Sequence, residues 1–149
     1  MAVHYQEPDW FTKNVFNRFV AVMTRLGISV WGSRVLRVKG RKSGEWHSTP
    51  ANLLTIDKTQ YLVAPRGHTQ WVRNIRVSGE GELVLGSHAQ RFKAVEIPED
   101  QRVPILREYL RRWAFEVGMF FGGVSANSPD QDLRRIAPDH PVFRVDPIV

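Results

Sequence analysis

Residues Gly40-Arg41-Lys42-Ser43-Gly44 set two cations and a hydroxyl between two glycines. Glycine reaches positive φ without a Cβ penalty, so this segment can fold back and aim its donors at one point. Guanidinium, ammonium and hydroxyl donors converging in this way suit a phosphate or carboxylate. A second group follows, in which Arg66-Gly67-His68 leads into Trp71-Val72-Arg73-Asn74. Trp71 and Asn74 are three residues apart and share a face if the segment is helical. The start of such a helix offers unpaired N–H groups to the same kind of anion. Ser43 has no base beside it and no G-x-S-x-G elbow around it, so it reads as a hydrogen-bond donor, not a nucleophile. Against this stands a plainer reading: a basic turn tip as solvated charge, Trp71 as core and Asn74 as a partner for backbone.

Other chemistries find no support. The 149 residues include no cysteine, which removes disulfides, thiolate metal sites and a thiol nucleophile. His4, His47, His68, His88 and His140 lack the i, i+4 pairing and close acidic partners of a zinc site, so no metal is expected. Neither G-x-G-x-x-G nor G-x-x-x-x-G-K-[ST] occurs. Glu99 and Asp100 read as charges favoured at a helix N-terminus, not as an acid-base pair. A formal charge of +6 and a pI near 10.2 draw acidic partners, whether ligand, nucleic acid or anionic membrane surface. Exposed strands with aromatics interleaved among Lys and Arg would favour nucleic acid. Instead Trp10, Phe11, Phe16, Phe19 and Trp113 follow helical rows, so no specific nucleic acid is expected. The first residues lack the features of a secretory signal and no apolar run reaches membrane-span length, which points to the cytoplasm.

The elements that must position these residues follow from periodicity. Phe11, Val15, Phe16, Phe19, Val20, Met23 and Leu26 recur at helical spacing over about 9–27, with Asp9 as N-cap and Gly27 as stop. Leu36 and Val38 then alternate with Arg37 and Lys39, and the Gly40–Gly44 turn leads to a second run through Pro50 to Ile56, which together predict a hairpin. Further strands are expected over 60–64, 82–85, 91–97 and 141–145, with turns at Asp57-Lys58, Gly79-Glu80-Gly81 and Gly86-Ser87. A short helix starting near Thr69 interrupts them. Val103, Leu106, Leu110, Trp113 and Val117 form a core-facing stripe on a helix ending at Gly118, and Ser128-Pro129 opens another over about 129–137. The length suits one domain over 1–149, mainly β with flanking helices (α+β), with barrel segments about 33–97 and 141–146. Short antiparallel connections favour a closed barrel, and strictly alternating βαβ units are missing.

In order and spacing, Gly40-Arg41-Lys42-Ser43-Gly44 with Pro50, Tyr61-Leu62-Val63-Ala64, Arg66-Gly67, Trp71-Val72-Arg73-Asn74-Ile75-Arg76 and His140-Pro141-Val142-Phe143-Arg144 resemble the deazaflavin-dependent nitroreductase family. The likeness runs from about Phe16 to Val145, and the G-R-K-S-G element is its most specific part. It implies a split β-barrel, FMN-binding-like in architecture, that holds the 8-hydroxy-5-deazaflavin coenzyme F-420. The implied reaction passes a hydride to a small electron-poor acceptor: a quinone, an activated alkene or a nitroaromatic. A lipid quinone as acceptor would add peripheral membrane contact.

Carried onto this chain, the resemblance makes Arg41, Lys42 and Ser43 the cradle for the coenzyme's phosphodiester and acidic tail, with charge-assisted bonds worth about 1.5 to 3 kcal/mol each. Arg66, Asn74 and His47 would complete the phosphate shell. Backbone around Thr49, Pro50 and Ala64 would line the ring, and Trp71 would wall one side. No proton donor is identified; Tyr109, His68 and solvent are the candidates. Two departures stand out. His47 occupies a place where many members have arginine, and Pro65-Arg66-Gly67 replaces a serine with a glycine-rich loop, so that Pro65 offers no N–H. Alternatives are an FMN-dependent oxidoreductase of the same fold, a cofactor carrier without turnover, and a noncatalytic basic module for nucleic acid.

Overall fold

The computed structural model describes residues 32–149. The helix expected over about 9–27 lies outside the described residues. Alternation of apolar and polar side chains produces strands β1 (Ser33–Lys39) and β2 (Trp46–Ile56), paired antiparallel so that Leu36 faces Thr49 and Val38 faces His47. Asp57 and Lys58, at φ 47° and 71°, turn the chain into β3 (Thr59–Val63). Positive φ at both central residues gives the twist that a two-residue hairpin needs. Helix α1 (Gln70–Ser78) follows, then β4 (Glu80–Leu85), β5 (His88–Glu96), α2 (Val103–Val117), α3 (Asp130–Ile136) and β6 (Val142–Pro147).

The six strands close in the order β1-β2-β3-β6-β5-β4, every pair antiparallel. Closure runs through Leu36 opposite Leu83 on one side and Leu62 opposite Phe143 on the other. It leaves one gap. β3 pairs only with Leu53–Ile56 of β2, so no described strand lies on that side of Trp46–Asn52. Pro50 falls in this half, where a residue without an N–H is tolerated.

Two apolar clusters result. Leu36, Val38, Leu62, Leu83, Phe92 and Phe143 join Val72 and Ile75 of α1 in one cluster, which seats that helix against the barrel core. The α2 stripe of Val103, Leu106, Leu110, Trp113 and Val117 packs with Leu133 and Ile136 of α3 and with Leu54, Val63 and Val142 of the strands. Each large side chain so buried contributes about 1.5 to 3 kcal/mol. Helical dihedrals lapse at Trp113 (φ −125°, ψ 16°), which kinks α2.

Two expected boundaries shift for physical reasons. Only Gly79 of Gly79-Glu80-Gly81 is a turn: at φ 71° it caps α1, its N–H bonded to Ile75 O at 2.8 Å, and β4 starts at once. Gly81 is already in the strand, where a Cβ would stand 2.9 Å from the Phe92 ring. At α3 the cap is Pro129 and not Ser128, whose hydroxyl instead accepts the Ser125 N–H at 2.9 Å.

Candidate functional site

A cavity of about 580 Å³ opens where β2 loses its second partner. Its walls are the β1–β2 turn (Gly40 to Ser43), the free half of β2 (His47 to Pro50), Pro65 and Arg66 after β3, and Thr69, Gln70, Trp71 and Asn74 of the α1 start. Arg41, Lys42 and Arg66 bring three permanent cations to it, and among the described residues no carboxylate lines it. The site is therefore built for negative charge.

The turn is held by two backbone bonds, Gly40 N–H to Glu45 O at 2.7 Å and Gly44 N–H to Gly40 O at 2.9 Å. Its two glycines serve different needs. Gly44 sits at φ 75°, while a Cβ on Gly40 would lie 2.8 Å from His47 Nε2 and 2.9 Å from Ser43 Oγ. Ser43 Oγ accepts the Glu45 N–H at 3.1 Å, so its own proton is left to donate.

Arg41 is tied to α1. Its Nη1 donates to Asn74 Oδ1 at 2.8 Å and to Gln70 Oε1 at 2.9 Å, and its backbone N–H reaches Asn74 Oδ1 at 3.1 Å. Neutral amides fix the guanidinium without cancelling its charge. Asn74 is 4% exposed, so its oxygen serves the turn as an internal anchor.

Helix α1 begins at Thr69, whose extended backbone accepts the first helical bond from Arg73 N–H at 3.1 Å. The N–H groups of Gln70, Trp71 and Val72 are left without intrahelical acceptors. No acidic side chain occupies this first turn, so its partial positive charge faces the cavity uncompensated. Thr69 makes no side-chain cap bond, and its buried Oγ1 has no hydrogen-bond partner. Trp71 stands beside it, its ring 5.8 Å from that of Phe143.

Arg41, Lys42, Ser43, His47, Thr49, Pro50, Arg66, Trp71 and Asn74 thus meet at one cavity. Three expected site residues do not. Ala64 is 1% exposed within the barrel core; its N–H goes to Pro141 O, and its carbonyl takes the Gly67 N–H and His140 Nδ1. The His140 ring is itself stacked on Phe121 at 4.1 Å. Tyr109 lies in the α2 stripe, against Trp113 and Phe121. Burial pushes its phenol far above the usual range, the Glu116 charge adding to the effect, so it is a poor proton donor as well as a distant one. His68 is outside the cavity wall, with both ring nitrogens engaged: Nε2 with Pro138 O at 3.0 Å and Nδ1 with Arg76 Nη1 at 3.1 Å. Thr69 and Gln70 were missed as wall residues. Their signal was the helix start itself, a threonine of N-cap type ahead of an apolar-periodic run.

Among the described residues no three His, Asp or Glu side chains form a metal-holding group, and no helix is long and apolar enough to cross a membrane.

The class so defined is a closed antiparallel barrel with a basic cavity at a helix start, lined by no carboxylate among the described residues. More particularly, residues 12–118 match the model of the F420H(2)-dependent quinone reductase family, and the chain belongs to that family of deazaflavin-dependent oxidoreductases. Solved structures share the fold at low identity. An F420-H2 dependent reductase (FDR-A) aligns at TM-score 0.52 and 16% identity, covering 77% of this chain and 94% of that one. A protein of unknown function from Agrobacterium tumefaciens aligns at TM-score 0.55 and 16% identity over 97% of this chain, which spans 58% of that protein's length. The heme storage protein HutZ from Vibrio cholerae aligns at TM-score 0.51 and 12% identity, covering 80% and 83%. None of the curated proteins matches the chain.

Proposed function

We propose that the cavity holds reduced coenzyme F-420 and exposes it to an electron-poor acceptor: a quinone, an activated alkene or a nitroaromatic. The observation that carries this reading is the meeting of Arg41, Lys42 and Arg66 with the α1 N-terminus around one cavity, which among the described residues no carboxylate lines. These donors fit a phosphodiester, and the orphaned Thr69 Oγ1 in the same wall is a further polar group that a ligand oxygen would satisfy. A volume of about 580 Å³ lies within the range of small-molecule and cofactor sites.

In this reading Arg41, Lys42, Ser43 and Arg66 bind the phosphate, with His47 at the rim. The free edge of β2 at Thr49 and Pro50, with the Trp71 ring, orients the flat ring system. When bound, the reduced deazaflavin supplies the hydride. Neither Tyr109 nor His68 lines the cavity, so of the three candidate proton sources named above this reading keeps solvent. Asn74 acts by fixing Arg41, since its Oδ1 already accepts two bonds from that residue.

FMN presents a phosphate too and is the competing cofactor. Titration of the purified protein with coenzyme F-420 and with FMN, followed by absorbance and fluorescence, separates the two. The expected result is binding of the deazaflavin and loss of the reduced cofactor's signal only when an acceptor is added. Preference for FMN would replace this reading, and binding without turnover across quinones, alkenes and nitroaromatics would make the chain a carrier.

A further inference from the structure

The stretch from Pro65 to Thr69 brings Arg66 and the α1 start to the cavity. Within it the Gly67 N–H reaches Ala64 O at 3.3 Å and the Thr69 N–H reaches Gly67 O at 2.9 Å, with Gly67 at φ 88°. On the side away from the cavity the loop is tied down through His68. Its backbone carbonyl accepts Arg73 Nε at 3.1 Å and its ring makes two more contacts.

The partners fix the ring's state. Arg76 Nη1 only donates, so Nδ1 accepts at 3.1 Å; the proton then resides on Nε2 and is donated to Pro138 O at 3.0 Å. Only the neutral Nε2–H tautomer makes both bonds.

Those partners belong to a rigid frame. Arg76 is forked onto Glu96, with Nε to Oε1 at 2.9 Å and Nη2 to Oε2 at 2.7 Å. Arg102, 4% exposed, donates to Glu96 Oε2 at 3.1 Å, Ala137 O at 2.9 Å and Ile97 O at 2.8 Å. Ala137 adjoins Pro138, so the chain of bonds returns to the segment from which His68 hangs. His140 Nδ1, bonded to Ala64 O at 3.3 Å, holds the other end of the loop to that segment.

We propose that His68 is a positioning residue for the cavity: as the neutral Nε2–H tautomer it links the Pro65–Thr69 loop to Pro138 and Arg76, and so holds Arg66 and the α1 N-terminus toward the ligand. This rests on the deazaflavin reading for the ligand's identity. It gives His68 a role outside the reacting atoms. Arg76 of α1 meets the ring itself, Arg73 of α1 meets the His68 carbonyl, and Glu96 of β5 holds Arg76 in place.

The test compares wild type, His68→Gln and His68→Leu by fluorescence titration with coenzyme F-420 at low and high salt. His68→Leu is expected to bind about tenfold more weakly, roughly one charge-assisted bond, with a shallower salt dependence as Arg66 swings away. His68→Gln keeps one acceptor and one donor and is expected within about threefold of wild type. Equal affinity and salt slope in folded His68→Leu would overturn the proposal, as would His68→Gln binding as weakly as His68→Leu. If His68→Leu does not fold, His68→Phe, which also lacks both ring nitrogens, takes its place in the same comparison. Should wild type bind neither coenzyme F-420 nor FMN, the deazaflavin reading fails, and the wild type and His68→Leu comparison repeated with inorganic phosphate decides the role of His68 independently.

Discussion

Lys42 and Arg41 bring the same charge to the cavity, but only Arg41 is bonded to α1. Lys42→Ala is expected to weaken deazaflavin binding about tenfold, and the double change to alanine about a hundredfold, at one charge-assisted contact each. The unfolding temperature should stay level for Lys42→Ala and fall for Arg41→Ala, which strips the donor from Asn74 and Gln70. Asn74→Asp is a sharper probe, since a carboxylate oxygen 2.8 Å from Nη1 would neutralise Arg41 without removing it. Binding should then drop roughly tenfold, as after loss of one contact, while stability holds; unchanged affinity by fluorescence titration would place the phosphate away from Arg41. Residues of the glycine-bracketed turn were legible because their chemistry is local. Ala64, Tyr109 and His68 were not, because sequence does not say on which side of a barrel wall a side chain falls. Tyr109 stands three residues after Leu106 and four before Trp113, so helical spacing sets it in the same apolar layer.

Turns between strands show why positive φ and open space are separate demands. Lys58 holds φ 71° in the two-residue β2–β3 connection, where a side chain incurs a left-handed penalty and glycine does not. Lys58→Gly is expected to raise stability by about 0.5 kcal/mol, visible as a higher urea midpoint at unchanged slope. Gly44 has nothing within 4 Å of where a Cβ would stand, yet Gly44→Ala should cost about 1 kcal/mol through φ 75° alone. A neutral result there would mean that the turn relaxes. Strand periods and the α2 stripe could be read directly, since alternation and three-four spacing are properties of the chain itself. The start of β4 could not: Gly79 and Gly81 look alike in sequence, but one answers to a backbone angle and the other to the Phe92 ring.

At the scale of the whole molecule, two carboxyls give opposite pH signatures. Burial raises the Glu116 carboxyl, and the Asn52 hydrogen bond offsets this only in part. Burial also raises Glu96, but the hydrogen bond and charge of Arg76, with the charge of Arg102, outweigh it and bring the group below its ordinary value. A group with a raised folded pKa contributes stability at acid pH and loses it as pH rises through that value; a depressed one contributes above its unfolded pKa and loses it as pH falls through the folded value. Glu116→Gln should therefore raise the unfolding temperature at neutral pH and leave it nearly level near pH 4, where carboxyls protonate. Glu96→Gln should lower it at neutral pH, with the deficit shrinking under acid. Thermal melts across that range check both, and deficits of the same sign would refute the assignment. The barrel was inferable from short antiparallel connections, whereas the gap beside Trp46–Asn52 was not, because register between distant strands is fixed only by closure. That closure also has a timetable. β6 lies between β3 and β5, so a growing chain that has not yet released residues 142–147 carries two bare ladders at once. Each is a template for a neighbouring copy on the same message. The interval before that strand emerges is when this protein is most exposed to aggregation during synthesis, and slow translation there would lengthen it.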